Sequence, residues 1–319
     1  MRTVVIGGTG HIGTYLIPRL VQAGHEVICL SRGQRSPYED HGVWKEVHLQ
    51  TVDRVKEEAS GGFGARIAGL KPDVVIDLIC FTAESARQIV EGIEGNTGLY
   101  LSCGTIWVHG PSVSVPTTEA EPRRPFGDYG IGKASMESWL LSRARRSGFP
   151  VVILHPGHIV GRGWAPLNPA GNFNPAVFET LAKGGRLAIP NLGLETVHHV
   201  HADDVAQAFT RAIECSVAAV GESFHVVSGS ALTLRGYAER IAQWFGKKAD
   251  LDFQPWETWR KGQIAEDAAA TWDHIAHSPC CSIDKARRLL GYQPRYESLQ
   301  AVFESLEWLI DHGKLAVSR

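Results

Sequence analysis

Val4-Val5-Ile6-Gly7-Gly8-Thr9-Gly10-His11-Ile12-Gly13 lies at the start of the chain, and its reading decides the fold. Three β-branched residues make a short strand. The glycines at 8, 10 and 13 satisfy GxGxxG, and those at 7, 10 and 13 satisfy GxxGxxG. Apolar residues then recur at helical spacing through Ile12, Leu16, Leu20 and Val21; Pro18 predicts a mild kink and Gly24 a helix stop. A strand, a glycine turn and a helix in that order place free backbone N–H groups at a helix N-terminus, which suits a pyrophosphate. Gly7, Gly8, Thr9, Gly10, His11, Ile12 and Gly13 are therefore the expected phosphate-binding turn of a dinucleotide site.

Outward from this turn the chain alternates. Further strands are predicted at 26–30, 43–49, 73–79, 99–103 and 150–154, with a helix over about 128–147. The run Asp73-Val74-Val75-Ile76-Asp77-Leu78-Ile79 is almost continuously apolar, as a parallel strand covered on both faces should be. The pattern predicts an α/β fold: a doubly wound parallel sheet of the Rossmann type with a smaller C-terminal substrate lobe. Residues 156–175 hold four prolines and four glycines and read as a pocket-lining loop. A helix over 176–183, strands over 195–202 and 224–227, and a mostly helical, tryptophan-rich remainder follow. The expected division is 1–165 for the dinucleotide-binding domain, with 195–230 returning to it, and 166–194 with 231–319 for the lobe.

Composition narrows the function. Of 319 residues 44% are hydrophobic, and 32 Lys and Arg stand against 34 Asp and Glu, a net charge of −2. This excludes global disorder and gives no basic excess for a nucleic-acid partner. No apolar run reaches the length of a membrane span or a signal peptide, so a cytoplasmic protein without a membrane partner is expected. Six cysteines form no CxxC pair and read as buried thiols.

The second strand ends Leu30-Ser31-Arg32-Gly33, with Arg35 nearby and no carboxylate for ribose hydroxyls. A guanidinium suits a 2′-phosphate, so NADP(H) is predicted over NAD(H), with Ser31 and Arg32 at the site and Asp53 as adenine partner. Tyr129 and Lys133 stand four apart at a helix start, on one face. An ammonium near a phenol is expected to favour the phenolate, giving an acid/base for a substrate hydroxyl while hydride passes to or from the cofactor.

With these motifs, Leu101-Ser102-Cys103-Gly104-Thr105-Ile106-Trp107-Val108-His109-Gly110 and His201-Ala202-Asp203-Asp204-Val205-Ala206, the chain resembles the short-chain dehydrogenase/reductase superfamily, in its extended branch of epimerases and dehydratases, over roughly residues 1–230. The resemblance implies Tyr129, Lys133 and Thr105 as catalytic residues, with Ser102 as the rival to Thr105. It implies Lys133 on the nicotinamide ribose, Pro156 and His158 beside the nicotinamide, and a homodimer through the helix carrying Tyr129 and the preceding one. It implies an epimerase acting on a sugar-like, hydroxylated small molecule. A reductase or dehydrogenase of a small carbonyl compound is the alternative. A second alternative is a non-catalytic, nucleotide-sensing or RNA-binding relative, against which Thr105, Tyr129 and Lys133 speak.

Three departures from the family pattern bear on substrate. Sugar-nucleotide dehydratases carry Asp-Glu after the catalytic threonine; here Ile106 and Trp107 cannot transfer that proton. The arginine that grips the diphosphate in sugar-nucleotide epimerases is replaced by Val197. A tyrosine common before the closing glycine is replaced by His109. Candidate substrate residues are Trp107, His109, Trp164, Asn172, His198 and His199. Fourteen histidines are many, but His199 and His201 lack a third ligand at recognisable spacing, so no metal is expected. His155 and His201 read as core histidines as readily as pocket ones.

Overall fold

The computed structural model describes residues 1–39 and 41–317. Six strands alternate with helices through the first half: β1 (Arg2–Ile6), β2 (Glu26–Ser31), β3 (His48–Thr51), β4 (Val74–Asp77), β5 (Leu99–Cys103) and β6 (Val151–Pro156). With strand Ser223–Val226 they form one seven-stranded sheet in the order Ser223–Val226, β6, β5, β4, β1, β2, β3. Every pairing in it is parallel. The chain runs outward from β1 to β3 and then returns to β4 on the other side of β1. The crevice beyond the C-terminal ends of β1 and β4 is thus the switch point at which such sheets bind ligands.

The alternation of β1 shows how the sheet is covered. Val5 joins Leu16, Ile17 and Phe209 on one face, where helix His11–Gln22 packs with helix Ala202–Glu214. Val4 and Ile6 join Phe63, Ile89 and Met136 on the other. A third core, with Phe178, Ile189, Val197, Tyr237 and Leu306, belongs to the C-terminal lobe. Cys281, Ile283, Leu290 and Tyr292, expected in the lobe, pack on the sheet instead.

The acids of the His201-Ala202-Asp203-Asp204 stretch tie helix Ala202–Glu214 to its neighbours. Asp203 pairs with Arg19 at 2.6 Å, and Asp204 accepts from the backbone N–H of Arg295 and Tyr296. His201 caps its own helix through Asp203 N and bonds Glu304 at 2.7 Å.

Local departures from expectation have local causes. Gly42–Glu46 is a 3-10 turn rather than the start of β3; its apolar residues are a pair, Val43 and Trp44, not an alternating run. Residues 195–202 do not form one strand. Thr196–Val197 pairs antiparallel with Leu232–Thr233, while His199–His201 pairs parallel with His158–Val160, inside the stretch expected to be loop. The lobe contains a parallel pair, Arg186–Pro190 with Asp250–Gln254, that its helical texture had hidden.

Candidate active site

The glycine turn is held by the geometry expected of it. Gly7 adopts φ +84°, donates to Leu30 O at 2.8 Å and accepts from Gly10 N at 3.1 Å. A Cβ on Gly13 would lie 1.9 Å from Gly8 O, so only glycine lets helix His11–Gln22 start this close to the turn. Gly10 caps that helix without a side-chain hydrogen bond, leaving its first N–H groups available. A groove of ≈ 550 Å³ runs from Gly7, Thr9 and Gly10 past Ser31, Arg32 and Arg35 to Asp53, Arg54 and Phe81.

Arg32 and Arg35 are exposed, and neither pairs with a carboxylate among the described residues. Asp53 lines the groove, but its carboxylate caps helix Arg54–Ala59, accepting from Lys56 N at 3.3 Å. Its neighbour Arg54 was not singled out by sequence. Arg54 is only 8% exposed; it pairs with Asp77 at 2.8 Å and Glu58 at 2.6 Å and keeps an Nη2 without a partner. Tyr100 donates to the same buried Asp77. An open cradle of amides, two unpaired guanidinium groups and an orphaned buried donor together fit a nucleotide cofactor bearing phosphates.

At the far end of the groove, helix Gly127–Ser147 carries Tyr129 in its first turn and Lys133 one turn on. Lys133 is 2% exposed and donates to Cys80 O and Cys103 O, each at 2.7 Å. Its ammonium lies 5.9 Å from the Tyr129 ring centroid and 4.6 Å from that of Phe81. Lys133 is not among the groups that act on the phenol here. Tyr129 is 45% exposed, and the partial loss of water around its hydroxyl pushes that group up to about 12, while the Thr105 hydroxyl beside it pulls the other way without prevailing. Tyr129 is therefore a protonated phenol in this state.

Thr105 is oriented by the 3-10 turn Ile106–His109, which it caps by accepting from Trp107 N at 3.3 Å. As an acceptor there, it keeps its own O–H for the Tyr129 hydroxyl beside it. Ser102, the rival, points into the core against the Met136 sulfur.

A wall of rings stands next to Tyr129. Trp107 meets Tyr129 edge-on at 5.9 Å and stacks on His277 at 4.1 Å, which stacks in turn on Phe126 at 4.0 Å. Strand register puts His158 opposite His199, their rings 5.9 Å apart, and His274 lies 5.0 Å from His158. Burial holds His199 at about 3 and His274 at about 4, and pushes His158 well below the usual imidazole range. The wall is aromatic and uncharged at neutral pH. His274 and His277 were missed by sequence, although three residues apart on helix Ala265–His277 they share a face.

Four expected substrate residues lie elsewhere. His198 spends both ring nitrogens on the backbone, on Ser228 O and Cys281 N. Asn172 is 1% exposed and staples its own loop to Asn168 and Thr271. Trp164 stacks on His11 at 4.9 Å, against the phosphate-binding turn. His109 turns away from the wall and bonds His225 at 2.8 Å. Pro156 ends β6 and leads the chain to His158.

With this geometry in place, comparison with known proteins is decisive at family level. The model of the "NAD dependent epimerase/dehydratase family" matches residues 3–226. The chain belongs to that family. Among similar proteins is 2'-dehydrokanamycin reductase of Streptomyces kanamyceticus, 26% identical over 99% of this chain and 86% of the relative. Another is the chloroplast stem-loop binding protein of 41 kDa b of Arabidopsis thaliana, 26% identical over 98% of this chain and 80% of the relative. Among solved structures, UDP-glucose 4-epimerase of Thermotoga maritima with UDP-glucose superposes with a TM-score of 0.74 at 21% identity, covering 98% of this chain and 99% of the other. As a family member the chain is an NAD(P)-dependent enzyme, and among the described residues no helix is long and apolar enough to cross a membrane.

Proposed function

We propose that this enzyme uses NADP(H) to interconvert a ketone and a secondary alcohol on an uncharged, hydroxylated ring compound rather than on a nucleotide sugar. The observation that carries this reading is the wall of Trp107, His158, His199, His274 and His277 beside Tyr129 and Thr105: Trp107 and His158 are its partly exposed members, the buried imidazoles of His199, His274 and His277 back them, and none offers a cation to a diphosphate. Val197, standing where sugar-nucleotide epimerases of this family carry arginine, is fully buried in the lobe core. The unpaired Arg32 and Arg35 support NADP(H) as the preferred form.

The glycine turn would hold the pyrophosphate, Arg32 the 2′-phosphate, and the third N–H of Lys133 the nicotinamide ribose. The bound nicotinamide supplies or takes the hydride at the reacting carbon. In the reducing direction Tyr129 gives its phenolic proton to the carbonyl oxygen, and the Thr105 O–H, next to the Tyr129 hydroxyl, turns to donate a hydrogen bond to the same atom. Lys133 positions this pair by fixing the ends of β5 and of the β4-side segment through the Cys103 and Cys80 carbonyls. Proton transfer of this kind contributes roughly 10²- to 10⁴-fold in rate.

Epimerisation is the second reading, supported by the family. The two part on cofactor traffic. Turnover of a neutral hydroxylated ketone with stoichiometric loss of NADPH absorbance supports the reductase. Tightly retained cofactor and interconversion of epimers with no net absorbance change would favour the epimerase.

A further inference from the structure

Directly behind the Gly104–Thr105 turn, three imidazoles meet that no sequence spacing groups together. His155 in β6 and His225 in strand Ser223–Val226 are paired in register, and His109 reaches them from the 3-10 turn after Thr105. One ring nitrogen from each lies within 4.8 Å of one from each of the others. All three side chains are buried, at 5% exposure for His109 and 0% for His155 and His225.

His155 and His225 are backed as metal ligands are backed. The Glu137 carboxylate, itself held by Arg123, accepts from His155 Nε2 at 2.7 Å, leaving His155 Nδ1 a bare lone pair. The Ser282 carbonyl accepts from His225 Nδ1 at 3.2 Å, leaving His225 Nε2 bare and only 2.8 Å from His109 Nε2. Nδ1 of His155 has no hydrogen-bond partner, a costly state for a buried nitrogen in a finished core.

We propose that His109, His155 and His225 form a binding site for one borderline divalent transition-metal ion of the zinc class, separate from the groove and the ring wall. Neutral imidazoles in the absence of a carboxylate ligand favour Zn²⁺ or Co²⁺ over Mg²⁺ or Ca²⁺. Three imidazoles on a tetrahedral ion with metal–nitrogen bonds of about 2.05 Å place their ring centroids about 5.2 Å apart. Here the centroids are 4.9, 5.8 and 6.3 Å apart, close to that spacing. A pocket of ≈ 100 Å³ lined by His109, Thr117, Glu121 and Arg124 brings solvent up to the His109 side of the cluster. The charges nearest the rings are Glu137 and Arg123, with Glu119 accepting from His225 N, so a bound cation meets two carboxylates and one guanidinium. The ion would clamp β6 and the edge strand Ser223–Val226 to the turn that carries Thr105. A Cβ on Gly104 would sit 2.5 Å from His155 Cδ2, which shows how closely that turn rests on the site.

The test is Zn²⁺ titration of chelator-stripped enzyme against a chromophoric competitor, with Co²⁺ as a spectroscopic substitute. One equivalent of Zn²⁺ per chain, a visible Co²⁺ absorption, and no comparable uptake of Mg²⁺ are expected. The double variant His109→Gln, His225→Gln should lose affinity at least 100-fold, and Glu137→Gln, acting through His155, 10- to 100-fold. His312→Gln, an exposed histidine, should change nothing. Where a variant does not fold, X-ray absorption of the zinc-loaded wild type decides, with three imidazoles expected on the ion. Failure of the stripped wild type to bind micromolar Zn²⁺, undiminished binding in the folded double variant, or fewer than three imidazoles on the ion overturns the proposal.

Discussion

The substitution Gly13→Ala tests the cofactor cradle at its most constrained point. An added Cβ would lie 1.9 Å from Gly8 O and 2.4 Å from its carbonyl carbon, both backbone atoms with no rotamer to yield. Ordinary carbon–oxygen contact is over an ångström longer, so either the turn or the start of helix His11–Gln22 must shift by about that much. Overpacking of this kind costs about 1–3 kcal/mol of stability. The same shift misplaces the N–H groups of the turn, and a comparable loss in binding corresponds to roughly 5- to 150-fold in affinity for NADPH. Two controls grade the effect. At Gly10 the nearest atom is 3.3 Å away, Gly7 O, and at Gly42 nothing lies within 4 Å. NADPH fluorescence titration and thermal unfolding of the three alanine variants should rank them Gly13, Gly10, Gly42, with Gly42→Ala like wild type. Gly13→Ala binding NADPH within twofold of wild type at an unchanged midpoint would refute the reasoning.

Other perturbations reach the remaining parts of the site. Tyr129→Phe should lower turnover by about 10²- to 10⁴-fold with cofactor affinity unchanged, read by steady-state kinetics and direct titration. Thr105→Val should cut turnover while Ser102→Ala, whose hydroxyl faces the Met136 sulfur, leaves it within about threefold of wild type; equal effects would reverse the assignment. Arg32→Ala should weaken NADPH about tenfold and NADH hardly at all, so an equal loss for both would remove the 2′-phosphate argument. His11, His199 and His274 are held at about 3, 3 and 4 by burial, so between those values and 6.5 the unfolded chain takes up protons that the fold excludes. Stability from these groups is complete above pH 6.5 and is lost as pH falls, by about 1.4 kcal/mol per pH unit for each. Denaturant midpoints at pH 7.5 and 5.5 check this, and equal midpoints would contradict it.

Much of the fold could be read locally. The β1–turn–helix unit, the apolar run at β4 and the helix bearing Tyr129 each carry their signal within about twenty residues, because period, glycine and spacing act between neighbours. Tyr129, Lys133 and Thr105 come together as the family pattern implies, yet the chemistry between the first two does not follow from spacing. Lys133 turns to the carbonyls of Cys80 and Cys103, residues far along the chain, and partial loss of water then governs the phenol. The misplaced substrate candidates share one cause. His109 finds His225 across 116 residues, His198 finds Cys281 across 83, and Asn172 finds Thr271 across 99. Polar residues in loops look like pocket lining until such distant partners are known. His274 and His277 entered the wall for the converse reason, since only the packing of helix Ala265–His277 against Trp107 turns a helix face into a site.

The central claim is that Tyr129 delivers the proton while the cofactor exchanges hydride with an uncharged hydroxylated ring substrate. It is tested most directly by incubating the enzyme with NADPH deuterated at the transferable position and a panel of neutral cyclic hydroxyketones, then weighing the products. The account predicts product with one deuterium on the carbinol carbon from wild type and about 10²- to 10⁴-fold less of that product in the same time from Tyr129→Phe, although both bind NADPH equally. Undiminished deuterium transfer by Tyr129→Phe, or transfer confined to nucleotide-sugar ketones, would contradict it.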